Sequence, residues 1–223
     1  MSEAKSRLVI FGSGALAEVA HHYFSTDSQY TVEGFVVDEE FQNVDNFCGL
    51  PVEKSSSCRA LFPPDNFQMF IAIGYSKMNE VRQQKYEWSR GQGYELASYV
   101  SSRASIASGV KLGDNCFVLE NNVLQPFVSL GNDVFLWSGN HVGHHTSIED
   151  HVFVSSHCVI SGKCIVGERS FLGVNCTIQD EVNIGARSFV GPRALVRADT
   201  SDDCVLIESA TQQLRVKSGS LIL

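Results

Sequence analysis

The sequence predicts an α/β domain over residues 1–98, an all-β prism of parallel coils over residues 99–201 and a polar tail over residues 202–223. Two observations predict the prism. An aliphatic residue stands at every sixth position from Val100 to Val196 without a miss, a period that neither a helix nor an alternating strand produces and that a chain wound with one hexad per flat face does. Four positions after each aliphatic residue the side chain is usually small, as at Ala104, Cys116, Thr146, Cys158, Cys164, Ser170, Cys176, Ser188 and Ala194. Small residues suit a narrow interior in which successive coils stack about 4.8 Å apart. A third observation sets off the front: before about residue 98 the six-residue period is absent and strand-like and helix-like runs alternate.

Leu8 to Phe11 reads as a first strand, Ala15 to Phe24 as a helix, Val32 to Val37 and Phe67 to Ile73 as further strands, and Ser76 to Arg90 as a charged amphipathic helix. This is a short βαβαβ unit, half of a Rossmann fold. The turn Gly12-Ser13-Gly14-Ala15-Leu16-Ala17 falls where the first strand meets the first helix. There glycines let backbone N–H groups and the helix N-terminus approach a phosphate, or let helix and strand pack closely with no ligand. Asp38 closes the second strand at the distance from which an acid grips a ribose hydroxyl. About 98 residues supply half of the double unit that a dinucleotide spans, so a mononucleotide fits better than NAD. At the end of the third strand Gly74 and Tyr75 face the same crevice, with Tyr75 placed to stack on a base and Ser76 to cap the helix.

The composition excludes several classes. A net charge of -8 with no Lys/Arg cluster argues against nucleic acid or an anionic membrane as partner, since either needs a basic face. No apolar stretch approaches the roughly 20 residues that span a bilayer, and the N-terminus lacks the pattern of a signal peptide. The expectation is a cytoplasmic protein. None of the seven cysteines forms a CxxC pair and four fall on the small inward position of the repeat, so they read as core fillers in a reducing compartment.

Five of the seven histidines fall between residues 141 and 157. His145, His151 and His157 each lie three residues past a repeat aliphatic and therefore mark three successive corners, on the order of 15 Å apart. Ligands that far apart cannot meet one ion at about 2 Å, so the expectation is no metal, with a site shared between chains of a trimer left open. An acyl transfer, by contrast, needs a base near neutral pH and N–H donors for the oxygen of the tetrahedral intermediate. His144 and His145 at a corner, with Gly162 one coil later, meet both needs. His151 and His157 read equally as solvated corner side chains, and His21 and His22 as packing or surface residues of the first helix.

A half-Rossmann domain followed directly by an uninterrupted hexapeptide prism resembles the sugar acyltransferases that include bacillosamine-type and perosamine-type N-acetyltransferases and sialic-acid O-acetyltransferases. The resemblance covers nearly the whole chain. It implies that the prism is a left-handed parallel β-helix, and that a nucleotide-linked sugar binds the front domain through Gly12, Ser13, Gly14, Asp38, Gly74 and Tyr75. It further implies a homotrimer with acetyl-CoA as co-substrate in the groove between two prisms, and a role in surface polysaccharide synthesis. His144 is then the general base and Gly162 the donor to the thioester oxygen. Gly173, Val174 and Gly191 line the pantetheine groove, and Arg187 and Arg193 meet CoA phosphates. The chain departs from the family at four places. His145 stands where relatives carry an acid after the base, leaving Glu149 or an acid of a neighbouring chain to orient it; Leu16 and Phe153 stand where relatives have histidines; and Ile207-Glu208-Ser209-Ala210 replaces a Gly-x-Pro-Ala signature. O-acetylation of a hydroxyl, and a scaffold that binds nucleotide or CoA without turnover, are the alternative readings.

Overall fold

The computed structural model describes residues 6–209. In the front domain β1 (Ser6–Phe11), β2 (Tyr30–Val37), β3 (Asn46–Phe47), β4 (Leu50–Lys54) and β5 (Gln68–Ile71) form one sheet in the order β3-β4-β2-β1-β5. Helix α1 (Ala15–Thr26) joins β1 to β2, α2 (Cys58–Leu61) joins β4 to β5, and α3 (Glu80–Gly91) follows β5. The βαβ alternation read from the hydrophobic pattern is present, with two differences. Between β2 and β5 the chain inserts the antiparallel β3–β4 hairpin, whose turn residues Cys48 and Gly49 both have positive φ, 50° and 78°, the geometry that matches strand twist. Cys48 is therefore exposed in a turn rather than a core filler. The third helix begins at Glu80 and not after Ser76, because Lys77, Met78 and Asn79 hold φ of 50°, 51° and 61°. Three successive left-handed residues cost about 1 kcal/mol or more each, and Ser76 does not cap the helix; Asn79 occupies that position.

In the prism each strand pairs in parallel with the strand eighteen residues on, as Val142 with Ile160 and Ile148 with Val166, so three hexads complete one coil. The first face runs from Tyr99–Val100 through Phe117–Val118, Phe135–Leu136, Phe153–Val154 and Phe171–Leu172 to Phe189–Val190. The second face runs from Ser105–Ile106 through His141–Val142 to Leu195–Val196, and the third from Lys111–Leu112 through Ser147–Ile148 to Asn183–Ile184. The repeat aliphatics and the small residues four positions on fill the interior. Interior hydroxyls and thiols donate to turn carbonyls of the next coil, as Thr146 Oγ1 does to Ser161 O at 2.8 Å and Cys158 Sγ to Gly173 O at 3.1 Å. These interior hydroxyls and thiols are thereby satisfied. The corners fall where the spacing places them: His145, His151 and His157 have φ of 61°, 61° and 60°. The coil does not stop at residue 201. Val205–Leu206 returns to pair with Phe189–Val190 on the first face, after a stretch in which the six-residue period is interrupted. Residues 210–223 of the expected tail, including Ala210, lie outside the described residues.

The front domain docks on the first face. Its outward residues form an aromatic ladder, Tyr99, Phe117, Phe135, Phe153, Phe171 and Phe189, against which Phe24 and Phe70 pack. Burying one such ring contributes about 2 kcal/mol. Polar pairs fix the two flanks. On the α1 side the Tyr99 hydroxyl donates to Asp27 at 2.7 Å and the Tyr23 hydroxyl to Glu120 at 2.8 Å. On the α3 side the fully buried Arg82 donates from Nε to Asp133 Oδ2 at 2.8 Å and from its terminal nitrogen to His151 O at 2.8 Å, over the Phe135 ring. His151, one reading of which was a solvated corner, is instead buried with Nδ1 2.9 Å from Asp133 Oδ2. Asn79 Nδ2 donates to Arg169 O and Ser170 O, which holds the left-handed entry to α3 against the prism.

Candidate active site

Two separate features carry chemistry. The first is a cavity of about 500 Å³ at the carboxyl ends of β1, β2 and β5, lined by Gly12, Ser13, Gly14, Asp38, Gly74 and residues of α3. Gly12 has φ +123° and a Cβ there would lie 2.9 Å from Ala72 O, so the turn requires glycine. Gly14 caps α1 in extended conformation with no side-chain bond, and a Cβ there meets nothing within 4 Å. Open space therefore lies in front of the unpaired N–H groups of the helix start, an arrangement that favours an anion. Asp38 sits at the rim with Oδ1 2.7 Å from Lys85 Nζ. Tyr75 is not part of this lining. Its ring rests on Phe153 and Phe171 at 5.0 and 4.7 Å, extending the aromatic ladder.

The second feature is the edge between the second and third faces. Here Gly143-His144-His145-Thr146 turns the chain between the strands His141–Val142 and Ser147–Ile148. His144 is exposed, its backbone N–H bonded to Gln125 Oε1 at 2.9 Å and its Nδ1 3.1 Å from Nδ1 of His145. The His145 ring in turn stacks on Phe127 at 4.6 Å. One imidazole of the pair donates and the other accepts; when His144 donates from Nδ1, its Nε2 carries the free lone pair that a base needs. Gly162 lies one coil on, directly under this ring: a Cβ there would stand 2.8 Å from His144 Cε1 and 2.9 Å from Nε2. The Gly162 N–H, expected as a donor to the substrate oxygen, is bonded to Asp180 Oδ1 at 2.9 Å. Glu149, a candidate to orient the base, lies on the edge between the third and first faces and accepts from the Glu168 N–H.

The residues expected to line a CoA groove divide between edges. Gly173, Val174, Gly191 and Arg193 share the edge between the first and second faces, while Arg187 lies on the edge between the third and first. Arg187 is engaged by three carboxylates, Glu168, Asp202 and Asp203, at 3.6, 3.2 and 2.8 Å. Gly173 is needed for stacking, since a Cβ would sit 2.6 Å from Pro192 N. None of these positions adjoins His144 within one chain. Reading the sequence missed Lys85, Gln125, Phe127 and Asp180. Asp180 carries a signal, since it lies eighteen residues, one coil, past Gly162.

The family model described as the PglD N-terminal domain matches residues 7–89, that of the bacterial transferase hexapeptide (six repeats) matches residues 127–162, and that of the hexapeptide repeat of succinyl-transferase matches residues 102–124 and 163–192. No curated protein sequence matches the chain. Among solved structures, PerB from Caulobacter crescentus in complex with CoA and GDP-perosamine is 25% identical with a TM-score of 0.80, covering 90% of this chain and 93% of that one. The acetyltransferase domain of PglB from Neisseria gonorrhoeae is 21% identical with a TM-score of 0.80 over 90% and 96% of the two chains. WeeI from Acinetobacter baumannii is 18% identical with a TM-score of 0.68 over 90% and 96%. The glycine crevice, the hexapeptide prism and these matches agree: the chain joins a region similar to the PglD N-terminal domain to bacterial-transferase hexapeptide repeats, the layout of the sugar acetyltransferases it resembles.

Proposed function

We propose that the protein transfers the acetyl group of acetyl-CoA to the amino group of a nucleotide-linked amino sugar, with His144 as general base, in a cytoplasmic step of surface polysaccharide synthesis. The observation that carries this reading is the pairing of His144 with Gly162, an exposed imidazole whose Nε2 stands close over a glycine with no side chain to displace it. The amine nitrogen attacks the thioester carbonyl while Nε2 removes its proton. The C–S bond then breaks, and the imidazolium returns the proton to the departing thiolate, so the base is regenerated. His145 holds the ring through Nδ1 in the role for which an acid was expected. For the Gly162 N–H to stabilise the oxyanion, the Asp180 carboxylate must first turn away.

The placement of the two features supports a homotrimer. The front domain covers the first face, and His144 lies on the one edge that does not border it. With faces on the order of 15 Å wide, the width of the prism separates the two. A sugar held in the crevice of one chain is therefore presented to His144 of another, and the edge carrying Gly173 and Gly191 supplies the other wall of the acyl-CoA groove. The test is thiol release from acetyl-CoA, wild type beside His144→Ala, against UDP-, dTDP- and GDP-linked 3-amino and 4-amino sugars and their hydroxyl counterparts. Release that requires an amino acceptor and falls at least about 100-fold in the variant is expected. Release with the hydroxyl sugars alone assigns O-acetylation, and CoA binding without turnover over the panel refutes the enzymatic reading.

A further inference from the structure

We propose that the Asp38–Lys85 pair reads the base of the bound nucleotide and selects a base that presents a ring N–H beside a carbonyl: uracil, thymine or guanine, against cytosine and adenine. The inference rests on the reading of the glycine crevice as a nucleotide site. The crevice has two chemically distinct ends. One is the start of α1, with its unpaired N–H groups and the open space beside Gly14, suited to phosphates. The other lies toward α3, where Lys85 projects over the Phe11 ring at 5.6 Å and reaches Asp38.

Beside this pair and Asn43, the side chains toward α3 are apolar: Phe11, Val37, Phe41 and Val81 all line the cavity. Phe41 is 62% exposed, an uncovered ring at the mouth of a slot that suits the face of a planar base. An ion pair placed there for stability alone would return little, because the cost of taking two largely buried charges out of water offsets much of their attraction. The side chains of Lys85 and Asp38 are 23% and 17% exposed, so both remain within reach of a ligand.

The polarity of the pair decides what it can bind. Lys85 and Ser55 both meet Oδ1 of Asp38, which leaves Oδ2 to accept from a ligand N–H. The ammonium has three protons and uses one on Asp38, so it can donate to a ligand carbonyl. Acceptor beside donor complements the N3–H and O4 of uracil or thymine and the N1–H and O6 of guanine. Cytosine and adenine present the reverse order, a ring lone pair beside an amino group. The carboxylate would then face a lone pair and the ammonium an N–H, a repulsive arrangement on both contacts. Asp38 thereby acts on the base rather than on the ribose hydroxyl that its place at the end of β2 suggests.

The test is calorimetric titration of the full chain with UDP, dTDP, GDP, CDP and ADP at one ionic strength. The tightest ligand should be one of the first three, with CDP and ADP weaker by at least about tenfold. Asp38→Asn can turn an amide N–H₂ toward N3 of cytosine, and should bring the ratio between UDP and CDP below about threefold. Lys85→Met should weaken the preferred nucleotide about tenfold, with a wild-type melting temperature showing that the fold is kept. CDP or ADP binding within about threefold of the tightest ligand, or an Asp38→Asn variant with an unchanged ratio, overturns the base reading and leaves the crevice as a nucleotide site. Binding of none of the five removes the crevice reading and the inference together.

Discussion

Gly143 and Gly162 stand on the same edge of the prism, and the same substitution should act on them in opposite ways. At Gly162 neither backbone conformation nor neighbouring backbone forbids alanine; the new methyl would meet the imidazole of His144 at 2.8 Å. Ordinary contact is about 3.6 Å, so the ring must move by roughly 0.8 Å. The ring is exposed and can do so, which confines the change in stability to about 1 kcal/mol or less. A displacement of that size at the reacting centre costs about 100-fold in turnover. At Gly143 the methyl would lie 2.5 Å from the backbone nitrogen of Gly162 and 2.5 Å from the Ser161 carbonyl carbon. Backbone in a stacked coil cannot step aside, and overpacking of this kind costs about 1–3 kcal/mol. Thiol release and thermal unfolding of the two variants separate the effects. Gly162→Ala should unfold like wild type and turn over about 100-fold more slowly, and Gly143→Ala should melt lower. A Gly162→Ala enzyme with more than about a third of wild-type turnover would refute the placement of His144 at the reacting centre.

Two further outcomes test the docking of the front domain. Arg82→Met leaves the fully buried Asp133 carboxylate without its cation and should cost about 3 kcal/mol in urea unfolding; a loss below about 1 kcal/mol would show that His151 and Asn115, whose amide donates to Asp133 Oδ1 at 2.7 Å, satisfy the carboxylate alone. Asp27 is held at about 2 chiefly by the hydrogen bond from the Tyr99 hydroxyl, aided by the Ser102 N–H. A depressed carboxyl stabilises the fold above its unfolded value and loses that contribution as pH falls through the folded one. The melting temperature of Asp27→Asn should therefore lie below that of wild type at pH 6 and converge on it near pH 2; a constant difference across that range would contradict the assignment.

The prism was legible because its cause is local and repeated. One aliphatic side chain per hexad must face a narrow interior, and the chain announces this at every face. The corners at His145, His151 and His157 followed from the same count. The docking surface was also written in the sequence at a longer period: the residue before every third aliphatic is aromatic, from Tyr99 to Phe189, and an eighteen-residue comparison would have found it. Other features depend on contacts that no local pattern carries. The left-handed run at Lys77–Asn79 persists because Asn79 is bonded to the prism, and Arg82 finds Asp133 only after docking. The sequence offers acids as partners of His144; a neighbouring histidine supplies the contact instead. The Gly162 N–H, expected free, is taken by a carboxylate one coil on.

A site divided between chains makes a direct demand on mixed assemblies. Gly14→Asp places a carboxylate where phosphates would bind, in space that holds no other atom within 4 Å, and Asp is a favourable helix cap, so the fold is kept. His144→Ala removes the base. Each variant alone should be inactive with a nucleotide-linked amino sugar. Co-expressed in equal amounts, they should recover about a quarter of wild-type turnover per site, since a working site needs an intact crevice from one chain and an intact base from its neighbour. No recovery in assemblies shown to contain both chains would contradict a site shared between subunits.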